Sequence, residues 1–448
     1  MGFILQFRWL LLTALGLRLM AALIIHPELH NDPADYHELG ARLANGMGYC
    51  VVINPTSIDS AYHPTVYCPT AYRPVGYPLF ISSIYRLTDT HPTAVRICQA
   101  FLATFSVLML GWMTFCLSSI RNAEFALWIG TFYLPDILYV ASLQSETVFI
   151  FLQWIAFISV FHSLKWLPKS KLKQYSISTV GGLSAGLAAL IKPYFLPLIL
   201  GIFFYGWWKR RKQGNYPTWI IMILLTLAIS TSWAVRNFYI LGKPALTTNL
   251  GANLWVGNNP QATGSYQWIE PDVTLPETEI ESDALLRNLA FQAIRDHPFQ
   301  ILTRIPLKWA HLFRSEGELL VELFPSNSGN SFAESYRNVS WWIILLTFVS
   351  MSTVIIAGWT GWWFGSSGDL QVIPAVIFLF YLLLTAVFFG ASRFHAPLIP
   401  FFQLAWALSI GVPFLFKESL WWKKTGWGIG SLFFISVWVL EAFRVFRG

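Results

Sequence analysis

An Asp directly before a Pro, a Glu at the head of an apolar block and four cations at the ends of others are the residues best able to do chemistry in this sequence. They are Asp32-Pro33, Glu146, Arg73-Pro74, Lys192-Pro193, Arg236-Asn237 and Arg393. A positioned carboxylate can take a proton from a hydroxyl, and grouped cations can hold a phosphate through charge-assisted hydrogen bonds. Each residue also has an ordinary reading. Asp32 suits a helix N-cap, with Asp35 as the acidic partner of a capping box. Glu146 suits the positive end of a helix dipole, and a single Arg or Lys at a span end reaches lipid headgroups. Together on one face of a membrane, however, they point to an anionic ligand, with phosphate the natural candidate. The stretch 247–260 is dense in Gly, Asn and Pro, which predicts turns rather than regular structure. Its amides could hydrogen-bond sugar hydroxyls or merely shape those turns.

The elements that must position these groups follow from composition. Only 12% of the 448 residues are charged and 55% are hydrophobic, too little polar surface for a water-soluble chain of this length. Apolar blocks of about 20 residues match helical spans. They fall at 3–25, 93–118, 123–141, 145–164, 175–191, 193–208, 217–240, 341–362, 370–389, 397–416 and 426–443, so the expected fold is an all-α polytopic membrane protein of about eleven spans. The first block lacks a small-residue cleavage site and is expected to stay as an anchor. Lys165, Lys169, Lys171 and Lys173, then Lys209, Arg210, Arg211 and Lys212, then Lys417, Lys423 and Lys424 all follow even-numbered blocks. By the positive-inside rule these loops and the N-terminus are cytoplasmic, and 26–92 and 241–340 lie outside. The net charge of +7 is thereby a topology signal, spread over separate loops, and gives no patch for nucleic acid.

Three parts are expected: 1–240 as an N-terminal transmembrane module carrying the outside loop 26–92, 241–340 as a small extracytoplasmic helical subdomain, and 341–448 as a C-terminal module. In the first loop, Tyr36, Leu39 and Leu43 recur at helical spacing between Pro33 and Gly46, predicting an amphipathic surface helix over 33–45. A second is expected over 78–87. In the later segment, helix is expected from Ser282 to Asp296, a break at His297-Pro298, and helix again through Trp309 and Phe313. Cys50 and Cys68 share the first outside loop and are expected to form a disulfide. Asp32, Asp35, Arg73, Glu146, Lys192, Arg236, Arg314, Glu316, Arg393 and His395 all fall on the outer side of this topology, while midplane charges are scarce. That argues for a site at the outer surface and against a transport path through the midplane. The Gly-Lys-Ser/Thr, H-E-x-x-H and paired C-x-x-C signatures are absent.

With these residues in view, the chain resembles the polytopic C-type glycosyltransferases that use polyprenyl-phosphate sugars, among them protein mannosyltransferases and aminoarabinose transferases. The resemblance is carried by Asp32 with Tyr36, by 72–78 (Tyr-Arg-Pro-Val-Gly-Tyr-Pro), by Ser145-Glu146-Thr147, by 233–237 and 251–264, and by Arg393 before Pro397. It implies Asp32 as general base on an acceptor hydroxyl, with Glu146 and Asp35 as further acids. Arg73, Lys192, Arg236 and Arg393 would hold the donor phosphate, and Tyr36, Tyr77, Asn253 and Asn258 would contact acceptor or sugar. Glu146 would orient the acceptor or help hold a divalent metal ion, and metal use stays open. Where several such proteins have adjacent acids after the first Asp, this chain has Pro33. The implied partners are a polyprenyl-phosphate-linked donor, a glycan, lipid or protein acceptor, and membrane lipids, with no nucleic acid. The implied location is the inner (plasma) membrane, with the site facing outward. A lipid-linked oligosaccharide polymerase or ligase is the alternative reading, followed by a transporter or flippase.

Overall fold

Among the described residues, every apolar block forms helix. The computed structural model describes residues 2–52, 66–165, 170–213, 216–325, 332–365, 369–411 and 420–447. The polar stretch 53–60, residues 412–416 of the tenth block, Lys169 and Lys417 lie outside the described residues. Five helices are long and apolar enough to cross a membrane: Pro92–Leu117, Glu146–Lys165, Pro217–Leu241, Trp341–Gly365 and Trp421–Ala442. Their outward faces carry large apolar side chains such as Phe105, Leu224, Val235, Leu346 and Leu432, each exposed. Such surface is stable in lipid and would aggregate in water.

Glu146–Lys165 is the most enclosed of these five, with 72% of its apolar window buried inside the protein. It packs beside Lys171–Ile191, which in turn packs on Tyr216–Leu241. This central position places Glu146, the first residue of its helix, at the middle of one end of the bundle.

Three blocks depart from a single straight helix. The first block divides at Phe7 into Gly2–Gln6 and Arg8–Ile24. The third divides into Ile120–Phe132 and Leu134–Tyr139, with Pro135 at the start of the second piece, where its missing N–H costs nothing. The carbonyls freed by the break are met by Arg18, fully buried in Arg8–Ile24, which donates to Gly130 O at 2.8 Å and Thr131 O at 3.4 Å. The tenth begins as a 3₁₀ turn, Ser392–Leu398, before the α-helix Ile399–Ser409. Arg393 and His395 sit in that turn rather than in a span.

The long segments 26–92 and 241–340 also contain helices. Asn31–Ala44 and Gly76–Thr88 match the two expected surface helices and pack on one another. A two-residue antiparallel pair, Val51–Val52 with Val66–Tyr67, joins the chain between them, and Cys50 is disulfide-bonded to Cys68 beside it. Glu279–Asp296 and Pro298–Leu312 reproduce the expected helix, break and helix.

The expectation of turns over 247–260 is wrong for its centre, where Leu250–Asn258 is α-helical. Its glycines serve close approach instead of turning. A Cβ on Gly251 would lie 2.0 Å from Asp283 O, and one on Gly257 would lie 2.0 Å from Phe388 O. Tertiary packing has overridden the low helix propensity of Gly and Asn.

Gly76 performs the same service for the site. A Cβ there would lie 2.7 Å from Ile191 N and from Leu190 C, so only Gly lets the turn after Arg73 press against the chain leading to Lys192. Gly76→Val should therefore destabilise the protein by about 1–3 kcal/mol through overpacking. Thermal unfolding in detergent checks this, and an unchanged midpoint would contradict the contact.

Candidate active site

Asp32 lies in the first turn of Asn31–Ala44, directly after Asn31, whose φ of 50° is a left-handed conformation that Asn tolerates better than most residues. The N-cap is His30, and no side-chain cap bond is made, so Asp32 and Asp35 do not form the capping box that their spacing allowed. Their carboxylates face other elements. Arg73 Nη2 lies 2.7 Å from Asp32 Oδ1 and 2.7 Å from Asp35 Oδ2, and Arg73 Nε donates to Asp35 Oδ2 at 2.8 Å. Arg393 Nη1 donates to the other oxygen of Asp32 at 2.5 Å. One carboxylate thus bridges two guanidiniums that come from opposite ends of the chain.

Burial opposes the charge on Asp32, and Arg73 and Arg393 more than offset it, holding its carboxyl well below the usual carboxylate range. Asp35 moves the other way: burial raises it, and Arg73 recovers only part of the shift.

A second pair stands at the same bundle end. Lys192 Nζ donates to Glu146 Oε1 at 2.8 Å, with the two side chains 10% and 2% exposed. The geometry suits both helix dipoles, because Glu146 opens a helix N-terminus and Lys192 follows the C-terminus of Lys171–Ile191. Arg393 lies within electrostatic reach of Asp32, Glu146 and Glu318, which joins the two pairs into one cluster.

The loop bearing Arg73 is held from several sides. Tyr49 Oη donates to Arg73 O at 2.9 Å, Thr70 Oγ1 donates to Glu279 Oε2 at 2.6 Å, and Ala71 N donates to Glu279 Oε1 at 2.8 Å. Arg236 belongs to this support. It donates to Thr70 O at 2.9 Å and to Asn237 Oδ1 at 2.8 Å, and stacks over Trp233 at 4.6 Å.

Tyr36 and Tyr77 meet edge to face at 5.1 Å, Arg73 lies 5.9 Å over the Tyr36 ring, and Tyr77 Oη donates to Gln99 Oε1 at 2.7 Å. Asn258 is not brought to the cluster. Its amide donates to Leu254 O and Val387 O, and its oxygen accepts from the fully buried Lys308 at 3.0 Å, which leaves the carboxamide committed to packing. Asn253 is partly exposed on the same helix.

His395 and Glu316 form an ion pair at 2.8 Å, with both side chains inaccessible. His395 Nδ1 also bonds Leu312 O at 2.7 Å, and Tyr139 Oη donates to Glu316 Oε2 at 3.0 Å. These contacts tie the turn bearing Arg393 to the segment that starts the helix Gly317–Leu323. That helix carries the acid that sequence reasoning missed, Glu322, which accepts from Ser142 Oγ and Gln144 Nε2. The available signal was the spacing of Glu318 and Glu322, four apart and so on one helical face.

Among the described residues, no group of three or more His, Cys, Asp or Glu side chains is arranged to hold a metal ion. Beside Glu146 the compensating charge is the Lys192 ammonium.

Breaking the Glu146–Lys192 pair should be costly. Lys192→Met leaves a buried carboxylate uncompensated and should lower stability by about 3–5 kcal/mol, while adding Glu146→Gln should restore part of it. Thermal or denaturant unfolding of the single and double variants measures this, and equal losses in the two would contradict a buried pair.

No family model matches the chain, and no curated sequence matches it. Solved structures do match. ArnT from Cupriavidus metallidurans, bound to undecaprenyl phosphate, aligns at 13% identity with a TM-score of 0.41, over 91% of this chain and 78% of that one. The Archaeoglobus fulgidus oligosaccharyltransferase in complex with Zn and sulfate aligns at 12% identity with a TM-score of 0.49, over 97% of this chain and 53% of that one. AglB from the same organism, with an inhibitory peptide and a dolichol-phosphate, aligns at 14% identity with a TM-score of 0.45, over 97% and 54%. The chain thus spans about half the length of the archaeal oligosaccharyltransferase.

Proposed function

We propose that this chain is an integral membrane glycosyltransferase that moves a hexosyl or pentosyl group from a polyprenyl-phosphate donor to a hydroxyl acceptor. It would have about eleven spans and the three-part organisation 1–240, 241–340 and 341–448. The acid–cation cluster would face outward from the plasma membrane, as the basic loops require.

The observation that carries this reading is the carboxylate of Asp32 shared by Arg73 and Arg393. Two guanidiniums held on one acid form a preset clamp of the geometry that planar, bidentate recognition of phosphate needs. A lipid phosphate drawn from the bilayer competes with Asp32 for both. In the transfer, the acceptor oxygen attacks the anomeric carbon, the bond from that carbon to the phosphate oxygen breaks, and its electron pair stays on the phosphate, with inversion. Arg73 and Arg393 take up the developing charge. Asp32, released as the guanidiniums turn to the phosphate, accepts the proton of the acceptor hydroxyl. Lys192 and Glu146 hold the floor of the site, Arg236 acts through the loop of Arg73, and Tyr36 and Tyr77 wall the sugar.

Asp32→Asn should lower transfer by about 10²–10⁴-fold while the protein stays folded. Purified variants are assayed for lipid-phosphate release against a panel of polyprenyl-phosphate sugars, with folding checked by size-exclusion chromatography. Full activity of Asp32→Asn would remove the mechanism. Arg73→Ala should act chiefly on the donor, raising its KM.

A further inference from the structure

Around Arg393, the acids Asp32, Glu146 and Glu318 have direct cationic partners, and among the described residues Glu322 has none. Asp32 has Arg73 and Arg393, Asp35 has Arg73, Glu146 has Lys192, Glu316 has His395 and Glu318 has Arg314. Glu322 has Ser142 and Gln144, which are neutral donors. It is partly exposed, whereas Glu146 and Glu316 are sealed. Its surroundings are held firmly: Gln99 Nε2 donates to Ser142 O at 2.8 Å and to Val140 O at 3.1 Å, and Tyr77 Oη fixes Gln99 from the first-loop side.

One neighbouring oxygen is also unsatisfied: among the described residues, Gln144 Oε1, on the residue that donates to Glu322, is buried without a hydrogen-bond partner. Buried polar atoms in native proteins are nearly always paired, so an acceptor left open beside a carboxylate suits a ligand that brings O–H donors.

We propose that Glu322, with Gln144 and Ser142, forms the acceptor subsite, binding a hydroxyl-rich acceptor beside the Arg393 arm of the phosphate clamp. The inference rests on the transferase reading and adds to it the side of the site from which the acceptor enters. In its ionised form Glu322 accepts a hydrogen bond from an acceptor hydroxyl adjacent to the one that reacts. Burial holds its carboxyl up at about 7, with Arg393, Ser142 and Gln144 pulling down and Glu146 pushing up. Tyr77 and Arg96 are the other titratable groups within its reach. Ionisation therefore grows as pH rises through about 7, and acceptor binding should strengthen over the same interval.

The test separates the two sides of the site. Undecaprenyl phosphate is the donor-side probe. Undecaprenyl-phosphate sugars with a panel of alkyl glycosides and Ser/Thr peptides probe transfer, with release of the lipid phosphate as the readout. Glu322→Gln should bind undecaprenyl phosphate as the unaltered protein does, raise the acceptor KM about tenfold or more, and flatten the dependence of acceptor KM on pH between 6 and 8. Ser142→Ala, which threatens folding less, should raise the acceptor KM by a smaller factor in the same direction. An acceptor KM unchanged in both variants would overturn the inference. So would a loss of undecaprenyl phosphate binding matching that of Arg73→Ala, which would put Glu322 on the donor side. If the unaltered protein neither binds undecaprenyl phosphate nor releases it, the transferase reading falls, and the inference falls with it.

Discussion

The arrangement of this protein depends on one carboxylate shared between two guanidiniums. Arg393 and Asp32 are separated by 361 positions in sequence, yet meet at 2.5 Å, while Arg73 closes on the opposite oxygen at 2.7 Å. An acid and two cations this near to hydrocarbon would each be costly alone. Together they offset one another, and the position of each becomes a condition for the others. Much of the outer structure can be understood as meeting that condition: the surface helix that presents Asp32, the loop pinned by Tyr49 and Glu279 that presents Arg73, and the 3₁₀ turn pinned by His395 and Glu316 that presents Arg393.

The pinning groups divide the labour by chemistry. Backbone of the Arg73 loop is held by the Tyr49 hydroxyl, the Glu279 carboxylate and the Arg236 guanidinium, which fix its direction. The Arg393 turn is held by a fully enclosed ion pair whose partners are used up locally. The cluster is left with cations compensated enough to fold and close enough to be diverted to a ligand. That balance is what electrostatic preorganisation would require of the proposed transferase.

Much of this could be read from the sequence. The helices of the apolar blocks, five of them long enough to cross a membrane, the surface helices, the disulfide and the acids and cations of the cluster follow from rules of periodicity, redox compartment and charge cost that act locally. Where local rules conflicted with packing, they failed. Gly251 and Gly257 resembled turn residues because close helix approach and turning use the same residue type, and only the positions of Asp283 and Phe388 distinguish them. The role of Arg18 has no local signal, because the carbonyls it satisfies are more than a hundred residues away. Arg236 and Asn258 have the residue types of ligand-binding groups, but their hydrogen bonds go to Thr70 O and to Lys308. Glu322 was passed over because its significance lies in what it lacks, a cation, and a sequence cannot show that.

The most direct test of the account is a double-mutant cycle on Arg73 and Arg393, with the affinity of purified protein for undecaprenyl phosphate as the measured quantity. If the two guanidiniums act as one clamp on a single phosphate, Arg73→Ala and Arg393→Ala should each weaken binding, and their effects should be non-additive by about 0.5–3 kcal/mol. Affinity equal to that of the unaltered protein in both single variants, or strictly additive losses, would contradict the clamp.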